Sequence, residues 1–112
     1  MKTIHPYFAD RPLWKVGGEY VTLKQVSLDP DITIDFDGTP YEVVREIMLH
    51  RARNRREEEK ADIQFVTGEI YTYQQQIEAL EQDTELGRLL IRMDVEHLKD
   101  LYYGLLQGRY KV

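Results

Sequence analysis

The sequence predicts an α+β domain: a small antiparallel sheet followed by long helices that close as an antiparallel helical hairpin. Three observations carry that prediction. Two short apolar runs flank Gly17-Gly18 with the period of strands. Ile63, Val66, Ile70, Tyr73, Ile77 and Leu80 then alternate spacings of three and four, the pattern of a helix seam facing a partner helix. A second helical pattern, Leu86 to Leu106, follows one short polar break. At 112 residues the chain is expected to form a single domain over 1–112. Its parts are a β-rich region 1–38, a long helix 39–82 (straight or bent) and a C-terminal helix 84–107.

Residues 1–12 carry Pro6 and Pro12 and no clear period, so they read as irregular. Leu13 to Val16 and Glu19 to Lys24 read as a hairpin around the two glycines, which supply the positive φ of a primed turn. In that register Val16 faces Glu19 and Trp14 faces Val21, so Trp14, Val16, Val21 and Leu23 share a face. Ser27 to Asp31 reads as a connection. Ile32, Ile34 and Phe36, alternating with Thr33 and Asp35, read as a third strand. So small a sheet is not stable alone and needs a helix laid across it.

The helix start is well signalled: Thr39 as N-cap, Pro40 at the first position and Glu42 three residues after the cap. Tyr41, Val44, Met48 and Ala52 form its stripe, widened by Val43 and Ile47. Arg53 to Lys60 has no apolar residue. It stays helical through the pairs Arg53–Glu57 and Arg55–Glu59, or it bends, with Asp62 capping a new helix. Gly68 is a weak point in the repeat, about 1 kcal/mol worse than alanine. One straight helix over 40–82 would span roughly 65 Å, against about 35 Å for the last helix. The apolar surface the hairpin leaves uncovered calls for a second copy of the chain. The last helix is capped by Asp83 or Thr84, carries two adjacent apolar lines and stops at Gly108.

Composition narrows the function. A net charge of −5 provides no global field to attract nucleic acid or an anionic membrane. The absence of cysteine removes disulfides, thiolate metal sites and thiol nucleophiles. No stretch has the eighteen apolar residues of a spanning helix, and no apolar run of signal-peptide length opens the chain, so a cytoplasmic location is expected.

Ile32-Thr33-Ile34-Asp35-Phe36-Asp37-Gly38-Thr39 resembles the first motif of the haloacid-dehalogenase phosphatases. The resemblance implies Asp35 as nucleophile, Asp37 as acid and base, and Mg²⁺ between them. It covers about eight residues. The family's second-strand Ser or Thr, its phosphate-binding lysine and its late acidic pair have no counterpart after Thr39, where the sequence reads as helix. No enzymatic activity, catalytic residue or cofactor is therefore expected. Asp29, Asp31, Asp35 and Asp37 suggest a calcium loop, but alignment on Gly38 places Thr33 and Val44 at the first and last ligand positions, so no metal site is expected. His5, His50 and His97 lack ligand spacing.

Arg45, Arg51, Arg53, Arg55 and Arg56 form a candidate anion site, although Glu42, Glu46, Glu57, Glu58 and Glu59 offset their charge. Tyr71, Tyr103 and Tyr110 lie off the seams, as exposed interface tyrosines would. The expected function is that of a self-associating adaptor, inhibitor or assembly factor of the kind phages and mobile elements encode. Its partners would be a second copy and another protein. The runner-up is an oligomer that gathers these arginines around a phosphorylated metabolite or nucleotide.

Overall fold

A computed structural model describes residues 1–112. Along the chain lie β1 (Lys2–Thr3), α1 (Pro6–Ala9), β2 (Pro12–Val16), β3 (Glu19–Thr22), α2 (Leu23–Leu28) and α3 (Tyr41–Arg53). A 3₁₀ turn (Glu57–Glu59) leads to β4 (Ile63–Gln64), β5 (Ile70–Tyr71), α4 (Tyr73–Gln82), α5 (Glu85–Leu106) and β6 (Tyr110–Lys111). The fold is mixed α+β, with small antiparallel pairs β2–β3 and β4–β5 and a long α5 packed on α4. The chain divides into two compact units, residues 1–40 with 95–112, and residues 41–94. α5 contributes to both.

In the first unit the β2–β3 register is the expected one, Val16 opposite Glu19 and Trp14 opposite Val21. Gly17 and Gly18 take φ of 61° and 83°, the two positive values that a type I′ turn needs. The register slips between Pro12 and Trp14, and this bulge turns Leu13 inward too, so that Leu13 and Trp14 are each 1% exposed.

β3 stops at Thr22, because the next residues satisfy a helix start better. The Thr22 hydroxyl accepts from Gln25 N–H (3.1 Å), and Gln25 Oε1 accepts from Thr22 N–H (2.9 Å). The expected strand through Lys24 and the connection from Ser27 thus give way to α2, which buries Leu23 and Val26.

The expected third strand is also absent. Ile34 and Phe36 are buried, as the alternation implied, but the Ile34 amide donates to the Tyr102 hydroxyl (3.2 Å) and no ladder forms. Phe36 packs edge-on to Trp14 and Tyr102, at 4.8 and 5.6 Å between ring centres. The first twelve residues are more ordered than their sequence suggests, since β1 runs parallel to β6 in the register Lys2–Tyr110 and Thr3–Lys111. The turn into β6 is a Schellman end. Gly108 has φ 77° and donates to Leu105 O, and Arg109 N–H donates to Gly104 O (2.8 Å).

In the second unit α3 packs against α4 and buries Ile47, Met48 and Ala52. The stripe that asked for an outside cover is thus largely covered within the chain. The long helix 39–82 does not form as one piece: α3 ends at Arg53, and a hairpin occupies 63–71 before α4 begins. Ile63-Gln64-Phe65-Val66-Thr67-Gly68-Glu69-Ile70-Tyr71 is rich in β-branched and aromatic residues, and Gly68 takes φ 102°, which a helix cannot accommodate. Thr72 and Gln75 then form a complete capping box that starts α4. Of the six seam residues, Tyr73, Ile77 and Leu80 lie on α4, with Ile77 and Leu80 buried, whereas Ile63, Val66 and Ile70 belong to the hairpin.

Asp83 ends α4 in the left-handed region (φ 53°), and Thr84 Oγ1 accepts from Gly87 N–H (3.2 Å) to cap α5. A Cβ on Gly87 would stand 2.2 Å from Ala79 O, which shows how closely the two helices approach.

Candidate functional site

The β4–β5 hairpin is fixed at its root and exposed at its tip. Gln76 on α4 is 2% exposed and spends its amide entirely on this root. Its Nε2 donates to Ala61 O (3.0 Å) and Tyr71 O (3.1 Å), and its Oε1 accepts from Arg55 (3.3 Å). Tyr73 donates to Ala52 O (2.8 Å), and the Lys60 ammonium lies over the Tyr73 ring.

Pairing Ile63 with Tyr71 and Gln64 with Ile70 sets two faces. Ile63, Phe65 and Tyr71 are half-buried, with the Phe65 and Tyr71 rings edge to face at 5.6 Å. Gln64 and Ile70 face solvent, and the turn adds Val66. Ile70 is 57% exposed and Val66 107%. These two residues, assigned by spacing to a buried seam, are among the most exposed large apolar side chains of the molecule. The sequence gives no sign of Gln76, because a glutamine on a short helix reads as surface.

The five arginines do not gather around a vacant centre. Arg45 donates to Leu80 O and Glu81 O and pairs with Glu42. Arg51 is buried and pairs with Asp94 (3.2 Å), Arg53 with Glu81 (3.1 Å) and Arg56 with Glu59 (3.3 Å), while Arg55 holds Gln76. They brace the second unit with forks already engaged by oxygens of the same chain.

Asp35 and Asp37 likewise do local work. Asp35 Oδ1 accepts from Gly38 N–H (2.9 Å), and any Cβ at Gly38 would fall 2.0 Å from Asp35 Oδ2. Thr39, expected as a helix cap, instead donates to Asp35 O (2.7 Å) and accepts from the Trp14 indole (3.1 Å). Lys99 pairs with Asp37 (2.9 Å), and this bond raises the lysine's pKa. The segment is a turn rather than the end of a parallel strand. Asp29 accepts from Asp31 N–H in a similar turn. No group of three His, Asp or Glu side chains is arranged to hold a metal ion, and no helix is long and apolar enough to cross a membrane.

His5 caps α1 through Nδ1 (3.1 Å from Tyr7 N), His50 meets Asn54, and His97 is exposed. Two tyrosines are bound to carboxylates. Tyr41 meets Asp83 (2.5 Å) beside Arg88, and Tyr110 meets Asp100 (2.8 Å) beside Arg109. Partial removal from water and the Asp83 bond raise Tyr41; the Asp100 bond and desolvation raise Tyr110. Both carboxyls are held below their ordinary range, chiefly by the phenol hydrogen bonds. Of the proposed interface tyrosines, Tyr103 is exposed, Tyr71 packs on Phe65, and Tyr110 lies over Gly104. Compared with models of known families, with curated proteins and with solved structures, the chain matches none.

Proposed function

We propose that this chain is a non-enzymatic interaction protein that associates with itself, as an adaptor, inhibitor or assembly factor does, and that its β4–β5 hairpin meets the hairpin of a second copy. The supporting observation is the combination of a root held by a buried amide with a tip that presents Val66 and Ile70 to water. A two-stranded hairpin left to itself is marginal, so the Gln76 anchor keeps an apolar arm ordered in the free chain and lowers the entropy lost on docking.

Magnitudes define the kind of contact. Burying one valine and one isoleucine from each of two copies gains about 6–12 kcal/mol gross, at about 1.5–3 kcal/mol per side chain. Association costs about 4–15 kcal/mol in lost freedom. At the favourable end, about 12 kcal/mol gained against about 4 kcal/mol lost, the contact is weak and reversible, in the micromolar range. Light scattering over a concentration series tests it. Wild type should rise above the 13.3 kDa of one chain, while Ile70→Asp should stay at that mass with an unchanged melting curve. A wild-type protein that remains monomeric at high micromolar concentration overturns the reading.

A further inference from the structure

In the first unit the β1–β6 ribbon, α1 and the last turns of α5 enclose a cleft of about 350 Å³, at the small end of the range for ligand sites. Its apolar lining comes from Ile4, Phe8, Leu101 and the Tyr110 ring. Its polar lining is rich in donors. Lys2 supplies an ammonium, and His97 lines the cleft from α5. His5 accepts the Tyr7 amide on Nδ1, which places the proton of the neutral ring on Nε2 and makes that nitrogen a donor.

The lining's one carboxylate is already engaged. Asp100 accepts from Tyr110 through one oxygen (2.8 Å) and from Arg109 through the other (3.3 Å). Arg109, which lies outside the lining, pairs with Asp100 (3.3 Å) and so leaves the Lys2 ammonium as the unbalanced charge of the cleft. The walls are built to stay in place. Tyr110 is pressed on Gly104, where a Cβ would come 2.2 Å from its ring, and the Schellman turn at Gly108 fixes its approach.

From this arrangement, an apolar lining with surplus donors and one satisfied carboxylate, the geometry points to a binding site for a small carboxylate with an apolar body, its ring or chain among Ile4, Phe8 and Leu101 and its carboxylate toward Lys2 and the two imidazoles. The site is distinct from the hairpin and does not depend on self-association.

The test titrates the full chain, followed by two-dimensional NMR, with three probes that share one ring: phenylacetate, phenylacetamide and phenethylamine. Phenylacetate should shift the amides of β1, β6 and residues 97–101 saturably at low-millimolar concentration. The amide should bind more weakly and the amine not measurably. Lys2 is exposed, so Lys2→Glu should leave the spectrum folded and reverse the order, favouring the amine. Phe8→Ala should weaken phenylacetate severalfold. The assignment fails if phenylacetate produces no saturable shift, if the shifts map elsewhere, if the amine binds wild type as well as the carboxylate, or if a folded Lys2→Glu keeps the wild-type order.

Discussion

Asp83 and Asp100 each collect a phenol and a guanidinium, so the protein carries two Tyr–Asp–Arg ties built alike, one in each unit. They make a pH prediction in two limbs. The raised tyrosines favour the neutral phenol in the fold. Their contribution is fully present below the ordinary phenol value of about 10 and is lost as pH rises through the folded value. The depressed carboxyls contribute above their ordinary value of about 3.9 and lose that contribution as pH falls through the folded one. Melting temperature should therefore respond to these ties only outside a plateau between about pH 4 and pH 10. Phenolate absorbance should contain a component above the usual tyrosine range, which Tyr41→Phe and Tyr110→Phe each reduce. Gly87 yields a second prediction at this scale. Gly87→Ala places a methyl carbon against the Ala79 carbonyl and should cost about 1–3 kcal/mol in denaturant unfolding, as overpacking does.

Among the elements, the hairpin 63–71 separates what was legible from what was not. The six residues from Ile63 to Leu80 fit a helical seam by spacing, yet Ile63 and Phe65 also fit the alternation of a strand. Short apolar runs do not distinguish the two periods. The deciding signals were local, a glycine needing positive φ at 68 and a Thr72–Gln75 box opening a fresh helix. The same kind of box at Thr22–Gln25 lay hidden beneath a run that also reads as strand. By contrast, the β2–β3 register followed from Gly17-Gly18, and α5 followed from its Thr84 cap and Gly108 stop. The two halves of the expected seam should respond oppositely to mutation. Ile77 is 7% exposed, so Ile77→Ala should cost about 2–5 kcal/mol. Ile70→Asp, by contrast, should shift the thermal melt within the ±0.5 kcal/mol typical of surface positions. Circular dichroism melting of both variants decides between a buried and an exposed Ile70.

For the molecule as a whole, the boundary between the two units falls inside one helix, α5, between Asp94 and Val95. A continuous helix with buried Ile91 on one side of that boundary and buried Leu98 and Tyr102 on the other should resist local opening. Hydrogen exchange should find the amides from Ile91 to Tyr102 among the slowest. Val95→Pro should remove that protection and cost about 3 kcal/mol or more, because it deletes a helix hydrogen bond at the shared segment. Fast exchange through this stretch in wild type would overturn that expectation. None of this could be read from local pattern. The expected single domain rested on length, and the β1–β6 pairing joins two-residue strands from opposite ends of the sequence, with no local signal in either.

That pairing has a practical consequence. Lys2 and Tyr110 sit opposite one another on neighbouring strands, so two positions far apart in sequence are spatial neighbours. Residues 1–112 can be rewired as a circular permutant, with a short flexible linker joining β6 to β1 and the chain opened at the exposed Gly17-Gly18 turn. Such a permutant would turn the β2–β3 hairpin, a local and quickly formed contact, into one that closes only after the rest of the chain has folded. Comparing its folding rate with that of the original order would reveal how far this domain relies on its earliest hairpin to begin.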